Sequence, residues 1–132
     1  MTLVAVVLGG ILGTGLRLTI NALVVPDSAF PWATLLINVL GSLVLGFLIA
    51  RVWPTAPAWL RAGLGTGLLG SFTTFSAVIV ALLTLTSSGM TLVAISYLLA
   101  TLLLGFAAAL LGIRLGALRG RAPSHPPIGA DE

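Results

Sequence analysis

Apolar positions in this chain come in long uninterrupted blocks and not in alternation, and short clusters of Pro, Ser, Asp and Trp separate the blocks. A helix needs about 20 apolar residues to cross a bilayer, and four blocks reach that length. They predict spans at about Leu3 to Leu23, Trp32 to Arg51, Trp59 to Thr84 and Thr91 to Ile113. A transmembrane barrel would need alternating segments of about ten residues, so the pattern argues for helices. Val25-Pro26-Asp27-Ser28 opens the first connection, Val52-Trp53-Pro54-Thr55-Ala56-Pro57 forms the second, and Ser87-Ser88-Gly89 the third. Pro31 suits the first turn of the second helix, where a missing N–H costs nothing. Trp32, Trp53 and Trp59 all fall at predicted ends, the headgroup level that indole rings prefer. The N-terminus lacks a basic stretch and a clean cleavage site, so it reads as the first membrane helix and not as a signal peptide. Residues 1–115 are expected to form one all-α, four-helix transmembrane domain. Residues 116–132, Pro-rich and polar, are expected to be a short disordered tail.

One polar run breaks this pattern. Gly70-Ser71-Phe72-Thr73-Thr74-Phe75-Ser76 lies near the middle of the third span, within an interval from Arg61 to Arg114 that holds no charged side chain. Irregular backbone at membrane depth persists only where it is packed in protein or lines a hydrated path or an ion site. The third helix is therefore expected to be broken near its centre, at Gly70 to Thr73. The carbonyls so freed could hold a desolvated cation such as Na⁺.

Composition narrows the function. The 132 residues are 58% hydrophobic and 7% charged, with a mean hydropathy of +1.20, too few charges to cover a soluble globule. There is no cysteine, and the single histidine, His125, lies in the polar tail. No acidic residue occurs between Asp27 and Asp131. Acid–base catalysis, carboxylate-bound metals and proton-coupled transport are thereby nearly excluded. A passive path, a receptor-like scaffold or a subunit of a larger complex remain. The net charge of +3 belongs mostly to membrane-flanking arginines and does not signal nucleic-acid binding. With four spans, Arg51, Arg61, Arg114, Arg119 and Arg121 share one side, and the opposite connections carry only Asp27. The positive-inside rule puts both termini in the cytoplasm.

The remaining polar residues in the spans are Arg17, Asn38, Tyr97 and Thr101. Arg17 reads equally as a functional charge at a mouth or as a side chain snorkelling across about two turns of helix to the headgroups. Asn38 offers two donors and one acceptor, for a ligand or for helix contact. Tyr97 and Thr101, four apart, present both hydroxyls on one helix face. Together with Ser76 and Thr74 these groups are donors without fixed negative charge, and Phe72 and Phe75 add electropositive ring edges. This inventory favours an anion. Gly9/Gly13 and Gly63/Gly67, spaced by four, let helices approach closely.

The order Gly9-Gly10-xx-Gly13-xxx-Arg17, then Thr34-xxx-Asn38-xx-Gly41-Ser42-xxx-Gly46, then Gly63-xxx-Gly67-xx-Gly70-Ser71-Phe72-Thr73-Thr74-Phe75-Ser76 resembles the small bacterial fluoride channels of the Fluc, or CrcB, family. The resemblance implies a fluoride-specific channel in the bacterial inner membrane. It would be a dual-topology dimer of inverted subunits with two pores and passive efflux that lowers cytoplasmic fluoride toxicity. It further implies a central structural Na⁺ held by the Gly70 and Thr73 carbonyls of each subunit. The family's pore asparagine matches Asn38, its first pore phenylalanine matches Phe75, and its hydroxyl track on the last helix matches Tyr97 and Thr101. Removal of the Asn38 amide should then lower conductance with little change in folding. Three positions depart from the family pattern: Val78 replaces the second pore phenylalanine, Ala81 a common glutamate, and Gly105 the third track hydroxyl. These departures and the arginine bias point to one half of a heterodimeric pair, with a homodimer tolerating Val78 as the alternative. A non-conducting scaffold embedded in membrane lipid is the competing class. A four-helix multidrug exporter would need an embedded carboxylate, which this chain lacks.

Overall fold

The computed structural model describes residues 1–24 and 29–118; Asp27, Arg119, Arg121 and His125 lie outside them. Helices α1 (Thr2–Leu23) and α2 (Trp32–Arg51) form the first two spans. The third span, Ala58–Ser87, is assembled from α3 (Ala58–Ala62), a π-helix π1 (Gly63–Leu69), α4 (Gly70–Phe72) and α5 (Phe75–Ser87). Helix α6 (Thr91–Leu118) is the fourth. The described residues thus contain four helical segments long and apolar enough to cross a membrane.

Two boundaries fall beyond those expected: α5 ends at Ser87 and not at Thr84, and α6 runs to Leu118 and not to Ile113. The polar residues at the end of α5 look like a loop in sequence but bond back into the helix. Thr86 Oγ1 donates to the Leu82 carbonyl and Ser87 Oγ to that of Thr84, local bonds open to short hydroxyl side chains. The helix stops where Gly89 takes φ +75°, a left-handed conformation that glycine adopts without steric cost. Pro31 precedes α2 as its N-cap, and its carbonyl accepts from the Leu35 amide at 3.1 Å.

Packing sorts the spans into two parallel pairs. In the first, α1 lies along π1. A β-carbon at Gly9 would overlap the Gly63 carbonyl, and one at Gly13 the Leu68 carbonyl. The two glycine pairs noted in sequence are therefore opposite sides of a single seam, with the Gly9 Cα 3.2 Å from the β-carbon position of Gly67. In the second pair α2 lies along α6, with Gly46 against the Ala109 carbonyl and Gly112 against that of Leu43. Without a hydrophobic gain between helices in lipid, such close backbone approach supplies the attraction as van der Waals contact. A cluster of Leu35, Val78, Leu85, Ala94 and Tyr97 joins α2, α5 and α6. Leucines such as Leu12, Leu83, Leu92 and Leu103 face outward, as suits a surface solvated by acyl chains.

Candidate functional site

Helix α4 ends at Phe72, and the next two residues are extended: Thr73 has φ −78° and ψ 155°, Thr74 φ −151° and ψ 121°. Gly70, read from sequence as the start of the irregular stretch, is helical. Each backbone group at this point needs a partner, because lipid offers none. Asn38 of α2 supplies two. Its Nδ2 donates to the Thr74 carbonyl at 3.1 Å, and the Thr74 amide donates to its Oδ1 at 2.9 Å. Thr74 then caps α5, its Oγ1 accepting from the Ala77 amide at 3.2 Å and pairing with Ser76 Oγ at 3.0 Å. Thr73 turns inward, its Oγ1 donating to the Leu69 carbonyl at 2.8 Å.

These bonds have a consequence for two carbonyls. In a continuous helix the Gly70 carbonyl would accept from the Thr74 amide, and that of Thr73 from the Ala77 amide. Here those amides donate to Asn38 Oδ1 and to Thr74 Oγ1. Gly70 and Thr73 therefore keep oxygen acceptors whose helical donors have been diverted. Hard oxygen ligands of this kind suit a small alkali cation. Among the described residues no group of three His, Cys, Asp or Glu could hold a metal, so carbonyl and hydroxyl oxygens are the donors on offer.

An open groove of about 460 Å³ brings together Asn38, Thr73, Thr74, Phe75, Val78 and Thr101. Phe75 is 71% exposed. Val78 stands where the resemblance places the second pore phenylalanine, and it lines the groove. It is 1% exposed and packs into the core with Tyr97. Tyr97 is fully buried, and the Phe30 ring meets it edge-on with centroids 5.5 Å apart. Its hydroxyl faces those of Thr101 and Thr34, and neither the Tyr97 nor the Thr101 oxygen completes a hydrogen bond of good geometry within the described residues. Ser76 is exposed and lines neither this groove nor a second one. That second cavity, about 620 Å³, holds Gly70 and Thr73 together with Trp53, Arg61 and Thr66. Arg17 is half-buried on α1 and lines neither.

Asn38, which in sequence suits a ligand or a helix contact, satisfies the backbone where α4 gives way to α5, so its removal bears on folding more than the resemblance implies. Gly41, one turn beyond Asn38, clears the space that the Thr73 methyl and the Phe72 ring occupy. Its spacing of three from Asn38 was the available signal, since both then share a helix face.

Four helical segments long and apolar enough to cross a membrane define a small multi-pass membrane protein. The sequence model of the CrcB-like protein family, described as Camphor Resistance (CrcB), matches residues 4–113, and the chain belongs to this family. Its relatives include the fluoride-specific ion channel FluC of Xylella fastidiosa (strain M23), 41% identical over 121 residues, 88% of this chain and 90% of that protein. Fluoride-specific ion channel FluC 1 of Ligilactobacillus salivarius is 40% identical over 117 residues, covering 88% of this chain and all of the relative. Fluoride-specific ion channel FluC 2 of Nocardia farcinica is 42% identical over 120 residues, 86% of this chain and 81% of the relative. The family is one of ion channels and not of enzymes.

Proposed function

We propose that this chain is a subunit of a fluoride-specific channel of the bacterial inner membrane that lets the anion leave the cytoplasm passively. The observation carrying this reading is the groove in which the Asn38 amide, the Thr74 and Thr101 hydroxyls and the Phe75 ring meet. Fluoride must exchange water for other donors, and hydrogen bonds to a charged acceptor are stronger than neutral ones. Asn38 retains one N–H beyond the bond to Thr74, and the neighbouring Tyr97 and Thr101 hydroxyls can turn to donate.

The subunit is proposed to work as a dual-topology dimer, with the exposed Phe75 face covered by an inverted partner. The third span acts in this reading as a discontinuous helix, and the Gly70 and Thr73 carbonyls of both subunits hold a structural Na⁺ where they meet. That charge would raise the local potential and offset part of the cost of bringing an anion into low dielectric. In this reading both termini lie in the cytoplasm, on the side of Arg51, Arg61 and Arg114. The one-sided arginine bias favours a heterodimer with a partner of opposite bias over a homodimer. A scaffold reading draws on the Asn38–Thr74 bonds, which would knit helices whether or not an ion passes.

Purified protein in fluoride-loaded liposomes tests the proposal. Fluoride efflux on adding a K⁺ ionophore is expected, from this chain alone if it is a homodimer or after adding the oppositely biased partner. Silence in both settings leaves the scaffold.

A further inference from the structure

Helix α6 presents Tyr97, Thr101 and Gly105 at successive steps of four residues, so they share one face and each lies about 6 Å further along it. The third position has no side chain. Across the parallel seam, Ser42 of α2 stands at the same level, and a β-carbon at position 105 would lie 3.6 Å from Ser42 Oγ. Ser42 is also four residues beyond Asn38, on the same face of α2. Both line the groove that contains Thr101 and Gly105.

Ser42 is bonded differently from three hydroxyls on the outer faces. Thr19, Thr84 and Ser96, all exposed, each donate to the carbonyl four residues back at 2.9 Å. That is the ordinary way for a short hydroxyl to be satisfied in a membrane helix. Ser42 Oγ has no hydrogen-bond partner among the described residues. Its proton is not committed to its own helix.

We propose that Ser42 supplies to the conducting groove the hydroxyl that α6 lacks at Gly105, and so forms a third step after Tyr97 and Thr101 for a small, strongly hydrated anion. This assignment rests on the channel reading above. The same donor is delivered from the neighbouring helix, and the absence of a β-carbon at Gly105 leaves it room to turn toward the ion.

The test is a rescue measured by fluoride efflux from liposomes, with the opposite-biased partner present if the wild type requires it. A hydrogen bond to a charged group is worth roughly 1.5–3 kcal/mol, so Ser42→Ala should slow efflux by about tenfold or more. Ser42→Ala/Gly105→Ser, which returns a hydroxyl to the same level from α6, should recover to within about threefold of wild type. Assembly of each variant is checked by size-exclusion chromatography. Wild-type efflux from Ser42→Ala overturns the assignment and leaves the channel reading standing. Slow efflux that Gly105→Ser fails to restore in an assembled protein also overturns it, because only packing would then have been lost. A silent wild type removes the channel reading and this step with it.

Discussion

Replacing Asn38 by alanine removes both bonds that close the backbone between α4 and α5. The Thr74 amide, 2.9 Å from Oδ1, and the Thr74 carbonyl, 3.1 Å from Nδ2, are left without partners. A stranded buried polar group costs roughly 1–3 kcal/mol, so the pair amounts to about 2–6 kcal/mol if the site stays dry. Water entering the adjoining groove can satisfy part of this, which brings the expected loss to about 2–4 kcal/mol. Every 1.4 kcal/mol is a factor of ten, so the folding equilibrium should shift by roughly 30- to 1,000-fold. Asn38→Gln, one methylene longer, can keep one bond but not both at the present backbone positions, and should fall between. Reversible unfolding in mixed detergent micelles measures the stability. Amide hydrogen exchange at Thr74 reports the local effect, and protection there should drop before it does elsewhere in α5. Fluoride efflux should fall as well. Asn38→Ala with wild-type stability and an unchanged Thr74 exchange rate would refute the idea that this side chain holds the extended backbone in place.

Gly112→Ala should separate α2 from α6, because its methyl would strike the Leu43 carbonyl and come 2.8 Å from the Phe47 amide nitrogen. A loss of about 1–3 kcal/mol is expected from such overpacking, read by the same unfolding titration. Thr74→Val removes the hydroxyl that caps α5 and should cost about 1 kcal/mol, while Thr74→Ser should cost little; circular dichroism during thermal unfolding separates the two. If the Gly70 and Thr73 carbonyls hold Na⁺, preparing the protein in a large organic cation should suppress efflux, and re-adding Na⁺ should restore it. Efflux indifferent to that exchange would remove the ion from the mechanism.

Much of the molecule was readable from residues alone because a bilayer is a simple solvent. Length and hydropathy of the apolar blocks locate four spans, since a crossing helix must satisfy its own backbone and offer apolar side chains outward. The motif carrying Asn38 and the Thr73-Thr74 run marks the family for a related reason: polar groups at that depth are too costly to be incidental. The end of α5 was less legible, because Thr86 and Ser87 have the composition of a loop and only their bonds to helix carbonyls keep them helical.

What the tertiary structure alone decided is how partners are allotted across chain distance. Asn38 and Thr74 are 36 residues apart, and no local pattern says that one amide group serves the other's backbone. The same holds for Val78, which the resemblance matches to a pore phenylalanine and which packing makes a core residue. It holds again for Ser42, whose freedom is visible only beside Gly105. Sequence determines which groups must be satisfied inside a membrane. Which neighbour satisfies them depends on the register of the helix seams, set by glycine contacts between elements far apart along the chain.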